Sequence, residues 1–214
     1  MKRDLSATDP VLKLNNAKLR SIEYDGNLTL QLEGRSSIAA RDKENAIYAG
    51  NLTIQGDGIL SISAENGQAY KPLNGFCTYT QNSGHVTMPE SALNRFERFS
   101  FSGGTLTLLG AETETFVNID RCLKAGKIAD GTELRLVNED GITSSWTAQL
   151  EVEEWSMLAS QALHAKKLHL IADGEELPPE EEDTERPRSR RSLDGRYDRG
   201  RYGAAGQRGR QSLP

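Results

Sequence analysis

Two cysteines, 6% aromatic residues and no apolar run of membrane-spanning length mark what this 214-residue chain does without. Cys77 and Cys122 stand 45 residues apart, a spacing that matches no metal or redox motif, so each reads as an ordinary semi-buried thiol. No stretch of about 18 apolar residues occurs, which excludes a transmembrane helix. Positive charge is not in surplus either: the net charge of −5 gives no general attraction to nucleic acid or anionic membrane, although a locally basic segment can still act on its own. The opening "MKRDLSATDP" is basic at its start but has no apolar stretch behind it, unlike a secretory signal, so the chain is read as either cytoplasmic or a piece of a longer secreted protein. With so few aromatics, the core has to be built mostly from Leu, Ile, Val and Ala.

Glycine is what the chain has instead, 20 residues that punctuate short alternating runs. "LTLQL", "LTIQ", "ILSIS", "FSFS", "TLTLL", "LRLV" and "LHLI" alternate apolar with polar and end near Gly, Asp or Asn, the pattern of half-buried strands, from residue 11 to about 174. These runs recur. Gly26 to Gly34 reads "GNLTLQLEG" and Gly50 to Gly58 reads "GNLTIQGDG", 24 residues further on. "AIYAGNLTIQGDG" from Ala46 lies over "ALHAKKLHLIADG" from Ala162 without a gap, and "ALNRFERFSFSGG" from Ala92, set one residue along with its glycines early, puts Phe99 and Phe101 where Leu52 and Ile54 stand. The anchors Leu28, Leu52, Phe99 and Leu168 are separated by 24, 47 and 69 residues, with Phe76 on the turn between Leu52 and Phe99. That is close to one, two and three periods of about 23 residues.

A unit of strand, Gly/Asp turn, second strand and small-residue corner cannot bury its apolar side alone, whereas stacked units align Leu, Ile and Phe in an interior ladder. The predicted fold is all-β, a right-handed single-stranded parallel β-helix of about seven coils over residues 11–174, after a leader or truncated first coil at 1–10. Ala46, Ala49, Ala162 and Ala165 are expected at tight inward corners. A leucine-rich repeat would need an Asn that neither "LTIQGDG" nor "LHLIADG" supplies, and a β-sandwich would not bring back the same pattern so far along the chain. "SMLASQALHAKK", Ser156 to Lys167, has helical composition, but the repeat frame claims its second half and leaves a helical turn at Ser156 to Ser160.

From Glu175 the apolar side chains almost vanish, and an acidic stretch gives way to nine arginines, Arg186 through Arg210. Such a segment buries too little surface to offset the entropy of ordering, so residues 175–214 are predicted to be disordered. Its Arg, Gly and Tyr content suits contact with RNA or an acidic partner by charge and stacking, while its nearly cancelling halves suit a solvated linker.

Among residues that carry chemistry, His85, His164 and His169 come first. His164 and His169, five apart, fit neither the helical i, i+4 nor the strand i, i+2 spacing and do not face one ligand. "SGHV", Ser83 to Val86, is weakly similar to the Gly-His-Gly of β-helix polygalacturonases. No Asp-Asp pair or Asn-Thr-Asp supplies the acid and base, so the chain is expected not to be an enzyme. Asp42, Glu44, Glu65 and Asn66 flank comparable corners, and carboxylates on successive coils, about 4.8 Å apart, can build an oxygen-rich cation site. Tyr48, Tyr70 and Tyr79 lie near turns, where a flat ring can meet the C–H face of a sugar; they are the candidate carbohydrate-binding residues.

The segment "SSIAARDKENAIYAGNLTIQGDGILSISAENGQA", Ser36 to Ala69, resembles a bacterial extracellular carbohydrate-binding β-helix domain family of the polygalacturonate-binding type. In the frame A-I-x-x-x-G-x-L-T-I-x-G-x-G-x-L-x-V, Gly50, Leu52, Thr53, Ile54, Gly56, Gly58 and Leu60 fill their places, with Ile62 in the last, and Ala46 and Ile47 stand one residue nearer to Gly50 than the frame has them. This resemblance implies a non-catalytic module for acidic polysaccharide, Ca2+ as a candidate ion, and a place outside the cell or on its surface. The D-D-G-I corners tied to the family's calcium sites are replaced here by "ENAIYA" and "QALHA", so no calcium ligand carries over. Two readings of other classes stand beside it: a structural or adhesion β-helix with no sugar site, and RNA or acidic-partner binding through the arginine-rich tail.

Overall fold

Alternation of apolar and polar side chains becomes strand wherever a glycine or asparagine corner lets the chain turn. A computed structural model describes residues 9–41, 44–65, 68–73, 77–110, 123–162 and 165–179. The first turn runs β1 (Val11–Asn15), β2 (Lys18–Leu19), β3 (Ile22–Glu23); the second runs β4 (Leu28–Glu33), β5 (Arg35–Ala40), β6 (Ile47–Ala49). The third is β7 (Leu52–Gly56), β8 (Ile59–Ala64), β9 (Tyr70–Pro72). A fourth has β10 (Thr78–Gln81) and β11 (His85–Pro89), with a 3-10 helix at Glu90–Arg95 against β9 in place of a third strand. β12 (Arg98–Phe101) and β13 (Thr105–Leu109) follow.

Each of the first three turns gives one strand to each of three faces. The first sheet stacks β1, β4, β7, β10 and β12, all parallel, and ends at the two-residue β14 (Lys127–Ile128). In the second sheet β2, β5, β8, β11 and β13 stack in the same way, and β3, β6 and β9 form the third. The chain is thus a mostly β protein, a parallel β-solenoid of about four turns.

Inside, the predicted ladder exists. Leu28, Leu52, Tyr79 and Phe99 are in register on the first sheet, beside Leu30, Ile54, Gln81 and Phe101. All eight are less than 5% exposed. Tyr79, rather than Phe76, fills the place between Leu52 and Phe99. The reason is uneven coil length: Asn51 and Thr78 are 27 residues apart on adjacent turns, His85 and Thr105 only 20, and the two deviations cancel by Phe99. Ala46, Ile47 and Ala49 are fully buried, as tight corners require.

Leu168 is not a coil anchor. After β14 come β15 (Glu133–Asn138) and β16 (Thr143–Thr147), an antiparallel hairpin whose Asn138 Oδ1 accepts from the backbone N–H of Asp140 and Ile142 at 3.0 and 2.8 Å. An α-helix, α1 (Val152–Ala162), then returns the chain to β17 (Ala165–Ile171), which inserts between β13 and β15 and runs antiparallel to both. Antiparallel pairing stops the solenoid's parallel register, so these elements close its end and account for about four turns where seven were expected. The helix is longer than the turn predicted at Ser156 to Ser160. Glu154 caps it through the Glu151 N–H at 2.9 Å, and Trp155, Leu158 and Ala162 give it a buried side toward β15 and β17. Ala162 therefore ends a helix and Ala165 starts a strand, instead of forming a corner.

Solenoid and cap form a unit that closes at Pro179. The tail prediction from residue 180 on, with all its arginines, lies outside the described residues, as do Asp42, Asn66, Phe76, Cys122 and His164.

Candidate functional site

The three tyrosines do not come together. Tyr79 is 0% exposed: its ring is stacked with Phe99 at 5.5 Å between centroids and tilted against Phe96 at 5.3 Å, and its hydroxyl donates to Gln81 Oε1 at 2.7 Å. Tyr70 stacks on Phe96 at 4.2 Å and donates its hydroxyl to the Ala49 and Gly50 carbonyls. Burial pushes the pKa of both phenols well above the ordinary tyrosine value. These two residues are core, and no sugar ring reaches them. The sequence placed them near turns without showing that their strands point them inward. Tyr48 is different: it stands half-buried on the outer side of β6, with Lys71 Nζ 5.7 Å from the ring centroid, so a cation covers one face of the ring.

Of the proposed cation ligands only Glu44 and Glu65 are among the described residues. Glu44 is ion-paired with Arg20 at 2.6 Å and Glu65 is exposed at the end of β8. Among the described residues no group of three or more acidic, histidine or cysteine side chains is placed to hold a metal. Cys77 is a buried thiol beside the Tyr70 hydroxyl.

Two histidines, by contrast, do share a face. The outer side of the second sheet carries Ser37, Ser61, Thr87 and Thr107 in consecutive register, and this row continues through His169, Arg135 and Ser145 on the cap strands. The neighbouring row carries Arg35, Ile59, His85, Thr105, Ile171 and Glu133. His85 Nδ1 lies 3.0 Å from Thr105 Oγ1 and His169 Nδ1 lies 2.9 Å from Thr107 Oγ1, so a threonine of β13 orients each ring. Sequence spacing could not have paired these histidines, because β11 and β17 come together only through the antiparallel insertion.

Among the described residues the strands of this face carry more cations than carboxylates, although Arg35 and Lys167 already make contacts of their own. Lys18 and Arg35 stand at one end, Lys167 and Arg135 at the other, and the single carboxylate on these strands' outward positions, Glu133, is clasped by Arg135. Arg135 Nε and Nη2 donate to the two Glu133 oxygens, both at 2.9 Å. Those hydrogen bonds hold the Glu133 carboxyl below the usual carboxylate range against the opposing effect of burial, helped by Ser145 and the charges of Arg135 and His169. The clasp therefore favours the ionised form of Glu133.

The outer side of the first sheet is uncharged through its middle. Thr29, Thr53, Thr80 and Ser100 form one row, and Gln31 and Gln55 stand in register two positions further along their strands. Gln55 Nε2 donates to Gln31 Oε1 at 2.8 Å. At the strand entrances Asn27 Oδ1 accepts from the Asn51 N–H at 3.1 Å and Asn51 Oδ1 from the Thr78 N–H at 2.8 Å, one coil holding the next. A cavity of about 290 Å³ lies where Leu136, Ile142, Ser144 and Gln161 meet, and among the described residues none that lines it is titratable. Comparison with protein-family models, with curated proteins and with solved structures finds no match to this chain.

Proposed function

We propose that the protein is a non-catalytic polysaccharide-binding module that holds an acidic polysaccharide against the outer face of the second sheet. The observation that carries this reading is charge segregation: a chain of net charge −5 gathers Lys18, Arg35, Lys167 and Arg135 on one sheet face whose outward carboxylate is already paired. Between them the hydroxyls of Ser37, Ser61 and Thr87 repeat once per coil, about 4.8 Å apart. An extended polyanion laid across β2, β5, β8 and β11 meets Lys18 and Arg35 first and then the row of hydroxyl donors, up to the point where Thr105, Ile171 and His169 are buried, an arrangement that electrostatic complementarity favours. The resemblance of Ser36 to Ala69 to the polygalacturonate-binding family points the same way.

Affinity electrophoresis through polygalacturonate tests it. The native chain is expected to be retarded at low ionic strength and progressively released between about 0.15 and 1 M salt, as the Debye length falls from about 8 to 3 Å. Arg35→Glu, at a solvent-facing position, is expected to weaken retardation about tenfold. Absence of retardation by any acidic polysaccharide, with or without Ca2+, would sink the proposal.

A further inference from the structure

We infer a second binding surface, on the outer face of the first sheet, that takes a neutral polysaccharide. It is built from a motif the repeat carries twice, T-x-Q at Thr29 and Gln31 and again at Thr53 and Gln55, with Thr80 and Asn82 as "TQN" on the next coil. Parallel pairing sets Thr29 beside Thr53 and Thr53 beside Thr80, so the motif becomes two straight rows. Coils are about 4.8 Å apart, and residues two apart on one strand are separated by about 6.6 Å, which makes a small flat lattice of hydrogen-bonding groups.

Several features favour a ligand with hydroxyls and no charge. The six positions hold no ionisable side chain, in contrast with the basic second sheet, so they offer a polyanion no electrostatic gain. Threonine hydroxyls and carboxamides both donate and accept, as sugar hydroxyls do. The hydroxyls of Thr29, Thr53 and Thr80 make no hydrogen bond with another side chain or with the backbone among the described residues, although the residues are half-buried. Thr105 and Thr107 of the second sheet differ, each being taken up by a histidine. The amide row is held in place internally, since Gln55 donates to Gln31 at 2.8 Å, and a held amide loses little rotamer freedom on meeting a ligand. A glycan lying across β4, β7 and β10 would bridge three coils.

Retardation in native gels containing hydroxyethylcellulose, dextran or galactomannan decides the matter, with polygalacturonate gels run in parallel. The native chain is expected to be retarded by at least one of the three neutral polymers, and that retardation to persist at 1 M salt. Thr53→Val with Gln55→Leu, which keeps strand-forming shape at solvent-facing positions, is expected to lose about tenfold in neutral-polymer affinity, the effect of two or three hydrogen bonds. Thr53→Ser with Gln55→Asn is expected to keep most of it. Should the first double variant misfold, Thr80→Val on the next coil serves in its place, with a several-fold loss expected. No retardation of the native chain by any of the three, or full retardation of the Val variants, overturns the inference. Because Arg35→Glu lies on the other sheet, failure on polygalacturonate and failure on neutral polymers are separate results.

Discussion

In the parallel coils the corners between first and second sheet lie directly over one another. A Cβ on Gly104 would sit 1.9 Å from the Gly84 carbonyl oxygen, while Gly141, at the hairpin of the cap, has nothing within 4 Å. Both residues have nearly the same left-handed conformation, φ +74° and +77°. Identical backbone demand therefore has different consequences in the two regions: the solenoid's turns are stacked and share their space, whereas the cap turns in solvent. The sharpest way to break this comparison is to put the same methyl group in both places. Gly104→Ala is expected to cost at least about 4 kcal/mol, since the methyl meets backbone that cannot move aside. Gly141→Ala is expected to cost only about 1 kcal/mol, the conformational term alone. Urea unfolding midpoints compare the two, and equal losses would show that the stacked corners relax.

Packing offers the next test, because Leu168 belongs to both regions. It lies in register with Leu108 of the coils on one side and Leu136 of the cap on the other, and it is fully buried. Leu168→Ala is expected to cost about 2–5 kcal/mol. Both tryptophans, Trp146 and Trp155, lie in the cap, so fluorescence reports the cap alone while far-ultraviolet dichroism reports the coil strands together with the cap. The two signals are expected to change together in the native chain and in the variant. Separate transitions would show that cap and coils unfold as independent units.

That shared position also explains what could be read in advance. Alternating Leu-x-Leu ended by Asp-Gly identifies a strand with one buried face, but it has no direction. "LHLIADG" thus matched "LTIQGDG" although β17 runs opposite to its neighbours. The true neighbour of Leu52 was missed for a different reason: a long coil followed by a short one preserved the mean period and concealed Tyr79. Core residues and corner glycines were legible because they depend on local alternation and φ. The histidine face was not, since it depends on which strand pairs with β13. Nearness to a turn does not say which side of a strand a residue occupies, and Tyr70 and Tyr79 are on the buried side.

Tyr79 separates the stability of the coils from binding on their surface. Its hydroxyl satisfies the carbonyl oxygen of Gln81, an amide buried in the apolar ladder whose Nε2 donates to the carbonyls of Gly84 and Thr105 at 2.9 and 3.0 Å. Tyr79→Phe leaves that oxygen buried without its donor and is expected to cost about 1–3 kcal/mol. Polysaccharide retardation of the folded variant is expected to be unchanged. A selective loss of retardation at native stability would return Tyr79 to the binding surface.

The smallest expected effect comes from the ion pair on the cap's outer face. Arg135 lowers the Glu133 pKa in the folded chain, so the stabilisation is present above the ordinary glutamate value of about 4.3 and is lost as pH falls through the lower folded value. Both side chains are 35% exposed, and solvent screening limits the contribution to a few tenths of a kcal/mol. Glu133→Gln is therefore expected to leave the urea midpoint nearly unchanged at pH 7 and to flatten its fall below about pH 4. The corner variant Gly104→Ala should instead keep the native acid slope, because its defect is steric. Because Glu133→Gln also releases Arg135 on the face proposed to bind polyanions, it is expected to strengthen polygalacturonate retardation slightly while it flattens this slope, and weaker retardation would remove Arg135 from the binding surface.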